Sequence, residues 1–152
     1  MNISQSALHI VLGLDVGDRR IGVAMASVEA GIASPLITLD RTQVSDIYNH
    51  ILHMITEQKA GEVIIGLPRG MQGQETAQTT SAREFAAKLQ KVLNDSSSNC
   101  KVYMQDEAAT SIMAEEDLKA AGKPYVKGDI DKQAATYILN DWLANRKRSL
   151  SQ

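Results

Sequence analysis

The first third of the chain carries its apolar residues in three short runs, "HIVLGLDVG" (9–17), "RIGVAMAS" (20–27) and "GIASPLITL" (31–39). Gly, Asp and Arg separate them, which predicts three strands joined by tight turns. The period then changes. Val44, Ile47, Tyr48, Ile51 and Ile55 keep a helical stripe that Gly61 closes. "EVIIGLP" (62–68) reads as a buried strand ended by Pro68, and "AREFAAKLQKVL" puts Phe85, Ala86, Leu89, Val92 and Leu93 on one helical face. After the linker "DSSSN" (95–99), "KVYMQDE" (101–107) is a further strand. "SIMAEEDLKAAG" and "DKQAATYILNDWLANRK" read as two more helices around the loop "KPYVKGD".

Three meander strands followed by helix–strand–helix–strand and closing helices predict an α/β fold, a mixed five-stranded sheet with helices on its faces. The 152 residues suit a single domain over 1–145. A chain of this size buries roughly 70% of its unfolded surface and needs no staples. The segment 146–152, opening on "RKR", is expected to be a basic, flexible tail.

Composition narrows the function. With 16 basic and 18 acidic residues the net charge is −2, so a global positive field for nucleic acid is absent. Local clusters remain at Arg19–Arg20 and at 146–148. Aromatic residues are 4% of the chain, too few for a stacking platform for single strands. Cys100 is the single cysteine, which excludes an internal disulfide and fits a reducing compartment. The opening "MNISQSALHI" lacks a basic leader, and no apolar stretch approaches the roughly 20 residues of a membrane span. The expectation is a soluble, cytoplasmic protein with no membrane partner.

Three acids stand where acids are costly. Asp15 interrupts an apolar strand, and an ionised carboxylate is expensive to bury unless it is paired or binds a metal. It either caps the turn at Gly17 or serves chemistry. Asp131 shares a helical stripe with Ala135, Ile138 and Trp142, and either caps that helix or faces a site. In "QDE" strand alternation puts Glu107 on the face of Tyr103 and Asp106 on that of Met104, an ordinary polar strand end or a third member of the set. Taken together, Asp15, Glu107 and Asp131 have one common reading. They form a ligand set for Mg²⁺ or Mn²⁺, hard ions that prefer oxygen. Two such ions about 4 Å apart clamp the attacking and leaving oxygens of a phosphodiester.

Other signals are weaker. The loop "GLPRGMQGQETAQ" (66–78) leads into a helix but lacks the ending of a nucleotide P-loop. His50 and His53 are three apart on a helix but fall off its apolar stripe, as surface histidines do. Cys100 has no neighbouring His to activate it.

The blocks "LDVGDRRIGVAMA", "EVIIGLPRGMQGQETAQ", "QDEAATS" and "KGDIDKQAATYIL" resemble the signature blocks of the YqgF family, in its order and spacing. The resemblance implies an RNase H-like fold, kinship with Holliday-junction resolvases, and a nuclease maturing the 5′ end of pre-16S rRNA. It implies that the catalytic and metal-binding acids are Asp15, Glu107 and Asp131, around two Mg²⁺ or Mn²⁺ ions. It turns the loop at 66–78 towards nucleic acid, with Arg69 as its contact beside Arg19 and Arg20. Pre-rRNA is the implied partner, with branched DNA and ribosomal particles as further ones. The chain departs from the family pattern twice: Ala108 stands where many members have Arg, and Lys132 where Ser is common. Competing readings are a resolvase-like DNA nuclease, a non-catalytic nucleic-acid-binding module, and a phosphotransferase of the actin and sugar-kinase type. The last also opens on a "D-x-G" strand, but it pairs two domains across a cleft.

Overall fold

The computed structural model describes residues 8–107 and 110–150. Ala108 and the opening residues 1–7 therefore lie outside the described residues. The meander consists of β1 (Ile10–Val16), β2 (Arg20–Ser27) and β3 (Ser34–Asp40). Next come α1 (Ile47–Gln58), β4 (Ala60–Pro68), α2 (Ala77–Asp95) and β5 (Lys101–Glu107). Two helices, α3 (Thr110–Ala120) and α4 (Lys127–Leu150), close the order. The strands form one five-stranded sheet in the order β3-β2-β1-β4-β5. The β1–β2 and β2–β3 pairs are antiparallel, whereas β1–β4 and β4–β5 are parallel. The C-terminal ends of β1, β4 and β5 therefore share one edge. No second sheet exists among the described residues to form the opposing lobe of a sugar kinase.

Strand alternation divides the core in two. Leu12 and Leu14 of β1, with Val63 and Ile65 of β4, pack beneath α1 and α2 against Ile51, Phe85 and Leu89. Val11 and Ile64 face the other way, against Ala135, Ile138 and Leu139 of α4. On this second face the sheet carries glycines, and α4 lies close. A β-carbon on Gly22 would overlap the backbone carbonyl of Asp131, and one on Gly66 would overlap the Ile138 side chain. The missing side chain at Gly22 admits the helix backbone itself to the sheet, and that at Gly66 admits the Ile138 side chain.

Local chemistry shifted several boundaries. Helix α1 starts after Asp46, whose carboxylate accepts the Asn49 N–H, and ends at Lys59 in the left-handed region (φ 56°). Lys59 thus takes the terminating role expected of Gly61, which lies inside β4. Helix α2 starts earlier than its apolar stripe, because Thr76 and Thr79 form a capping box. Helix α4 starts at Lys127, a turn before Asp131. Asp129 accepts the Val126 N–H there, so Asp129 rather than Asp131 does the capping. The same helix runs on to Leu150, through the segment expected to be a loose tail. Arg146 lies over the Trp142 ring and pairs with Glu62 at 3.8 Å, and residues 147–150 beyond it are exposed.

Ile138 is fully buried between α4 and the sheet. Ile138→Ala is expected to lower the unfolding free energy by about 2–5 kcal/mol. The check is a lower urea midpoint at an unchanged m-value.

Candidate active site

Asp15 lies near the end of β1, opposite Gly22 in the antiparallel register. Paired residues project to the same face, so its carboxylate points towards the side where α4 crosses Gly22. Glu107 is the last residue of β5, and a β-carbon on Gly66 would come within 3.0 Å of its Oε1. Asp131 comes from the second turn of α4, delivered by the close approach at Gly22. The three acids, remote in sequence, line one cleft of about 330 Å³ at the C-terminal edge of the parallel strands. Pro68, Arg69, Gln78, Ser81 and Ile112 also line it.

The electrostatics record the convergence. The Asp15 pKa is pushed up to about 7, first by burial, then by the negative charges of Glu107 and Asp131. Glu107 and Asp131 therefore stand close enough to Asp15 to disfavour its ionisation. Arg20 relieves part of this crowding. Its Nε donates to Asp131 Oδ2 at 2.7 Å in a half-buried pair.

The arginines expected to meet phosphate all have carboxylate partners. Arg20 is engaged by Asp131, Arg19 stands 3.6 Å from Asp40, and Arg69 bridges Asp106 at 3.2 Å and Glu75 at 3.6 Å. Of the three, Arg69 lines the cleft. Lys132 turns to Asp129 at 3.4 Å. His53 pairs with Glu57 at 2.9 Å on the exposed face of α1. The Cys100 thiol is buried, and its pKa is pushed up to about 11 by that burial and by Glu62.

The donor chemistry of the three acids suits a hard divalent cation, whose charge would offset what burial and mutual repulsion impose on Asp15. Among the described residues no three His, Cys, Asp or Glu side chains already form a ligating cluster. Arg20 holds Asp131 instead, so binding a cation requires the Asp131 carboxylate to turn or share its oxygens. Two contributors had no local signature in the sequence. The Arg20–Asp131 pair spans 111 positions, and Gly22 gives no sign in the sequence of the helix that covers it. Gln78 and Ser81 had a faint signal, as polar residues before the apolar stripe of α2.

A sheet of this order, flanked by helices on both faces, is an RNase H-like fold. Thermus thermophilus RuvC in complex with a Holliday junction substrate matches with a TM-score of 0.53 at 16% identity, over 91% of this chain and 96% of that one. The fowlpox virus Holliday junction resolvase matches with a TM-score of 0.56 at 13% identity, over 90% and 99% of the two chains. At these identities the likeness is one of fold. The family model described as "RuvX: Holliday junction resolvase" matches residues 9–145, and the chain belongs to this family. It is the family that the YqgF-like blocks resemble. A relative from Chloroflexus aggregans is 41% identical over 139 residues, 90% of this chain and 94% of its own length. One from Maridesulfovibrio salexigens is 35% identical over 136 residues, covering 88% and 97%. Both are named "Putative pre-16S rRNA nuclease".

The raised Asp15 pKa makes the cation-free protein pH-sensitive with a definite sign. The unfolded carboxyl ionises near pH 4, whereas the folded one ionises at about 7. Between those values the folded state binds the extra proton, so stability falls as pH rises through the window and then levels off. The fall is at most about 4 kcal/mol. Asp15→Asn removes it. Urea unfolding in EDTA is expected to give similar stabilities at pH 4, with the variant increasingly the more stable towards pH 8. A constant difference across that range would contradict the assignment.

Proposed function

We propose that this chain is a metal-dependent endonuclease hydrolysing phosphodiesters in structured nucleic acid, with 5′-end processing of pre-16S rRNA as its reaction. The observation that carries the reading is the meeting of Asp15, Glu107 and Asp131 in one cleft, where burial first and the two neighbouring charges second raise the Asp15 pKa. Family membership and the names of the relatives support the substrate class.

Asp15, Glu107 and Asp131 would hold Mg²⁺ or Mn²⁺, which would supply Lewis acidity towards a phosphodiester. Asp15, on the strand in the middle of the sheet and opposed by the charges of both other acids, would anchor the ion. Glu107 and Asp131 complete the set from either side. Arg20 acts by orienting Asp131, a different role from the phosphate contact its sequence position suggested. Arg69, at the cleft wall, orients a phosphate without reading sequence. Arg19, held by Asp40 at the rim, is a weaker contact of the same kind. Such a reaction belongs in the cytoplasm, on pre-ribosomal particles. No helix among the described residues is long and apolar enough to cross a membrane. The description of the family as a Holliday junction resolvase favours branched DNA as the second reading.

The test incubates the purified chain with a pre-16S rRNA fragment carrying its 5′ flank and with a four-way DNA junction, each in Mg²⁺, Mn²⁺ or EDTA. RNA cleavage that requires the cation is expected. Asp15→Asn and Glu107→Gln should lower it by more than the roughly 10–100-fold that follows loss of an outer-shell partner, with the fold intact by circular dichroism. Cleavage of the junction alone would move the assignment to the second reading. No cleavage of either with any cation would remove the nuclease assignment.

A further inference from the structure

A second groove adjoins the carboxylate cleft. It holds about 280 Å³ and shares Val16, Gly17, Asp18 and Ser81 with the cleft, so the two are continuous across the β1–β2 turn. Its far wall carries Arg41, Tyr48 and Lys88. Arg41 differs from the other arginines at this edge. It follows β3, and its Nη1 donates to the Gly17 carbonyl at 2.9 Å. Its guanidinium lies 5.4 Å from the centre of the Phe85 ring, which in turn packs against the Tyr48 ring. The guanidinium is therefore held in place by a carbonyl and an aromatic face, and most of its N–H donors stay uncommitted. Among the described residues neither Arg41 nor Lys88 forms an ion pair, whereas Arg19, Arg20 and Arg69 all do.

We infer that this groove is a phosphate subsite, in which Arg41 and Lys88 grip the sugar–phosphate backbone of the nucleic-acid strand leaving the carboxylate cleft. The inference rests on the nuclease reading for the identity of that strand. A fixed guanidinium presents parallel donors to a phosphate, Lys88 adds a mobile charge, and the Tyr48 hydroxyl adds a further donor. Asp18 and Glu84 also line the groove and oppose a phosphate there. Glu84 lies one helical turn before Lys88 on α2, so its removal should favour binding. The subsite locates the affinity that a chain of net charge −2 needs in a local patch. It carries no sequence preference.

The experiment measures anisotropy of a fluorescein-labelled RNA hairpin carrying the 5′ flank of 16S rRNA as a single-stranded arm. EDTA is present to prevent turnover, and salt is varied. A parallel assay in Mg²⁺ follows cleavage by the wild type. Arg41→Gln and Lys88→Ala should each weaken binding and flatten the slope of log affinity against log salt by roughly one. Glu84→Gln should tighten it. Lys91→Ala, on the exposed side of α2 and paired with Asp95, should change nothing. Lys88 is exposed, so it reports even where Arg41→Gln is destabilised. If the wild type cleaves while both variants keep its slope, the subsite is overturned and the nuclease reading stands. Flattened slopes without cleavage uphold the subsite and remove the nuclease reading. A wild type that binds no RNA, or weaker binding by Glu84→Gln, overturns the subsite.

Discussion

The close approach of α4 to the sheet at Gly22 governs the candidate active site. A helix packed on a sheet of ordinary side chains stands off by the thickness of those side chains. Here the helix backbone at Asp131 touches β2 where a β-carbon would overlap it, while at Gly66 the Ile138 side chain fills the space a β-carbon would take. Gly22 is also the cross-strand partner of Asp15. One small residue thus brings an acid from the end of the chain to the acid of the first strand. The buried stripe of Ala134, Ala135, Ile138 and Leu139 then holds α4 in place.

Such convergence works against the fold. Three carboxylates in one cleft repel, and the chain places a half-buried cation, Arg20, on Asp131. Among the described residues Asp15 has no such ion pair, and burial, then the two neighbouring charges, pushes its pKa up to about 7. Strain of this kind at one point in an otherwise consistent structure is typical of functional sites. The same logic extends around the edge of the sheet. Arg69 is partly neutralised by Asp106 and Glu75, while Arg41 is fixed by neutral groups and keeps its charge for an outside partner. A weakly acidic chain can thereby present positive charge over a few residues only.

Much of this was legible in the sequence. The five strands follow from apolar runs cut by Gly, Asp and Arg, and β2 and β5 fall where those runs stand. Asp15 announced itself because an acid amid Leu, Val and Gly breaks a strong pattern. Boundaries set by backbone chemistry were less visible. The left-handed Lys59 ends α1 before the glycine that looked like its terminator, and the capping box at Thr76 starts α2 before its apolar residues begin. Charges could be placed near the site but not paired. The pairing of Arg20 with Asp131 spans 111 residues, and that of Arg146 with Glu62 and Trp142 likewise depends on how α4 meets the sheet. Periodicity reports which face a residue occupies, whereas ion pairs depend on how separate elements meet.

Since the account makes the site a consequence of one close approach, Gly22→Ala tests it most directly. That variant leaves Asp15, Glu107 and Asp131 in the chain but pushes α4 off the sheet at Asp131. Binding of Mn²⁺ is read from loss of the free-ion signal in electron paramagnetic resonance, with circular dichroism confirming that the variant is folded. Saturable binding by the wild type and an affinity at least about tenfold weaker in folded Gly22→Ala are expected. A folded variant that bound Mn²⁺ as tightly as the wild type would contradict a site built by that close approach.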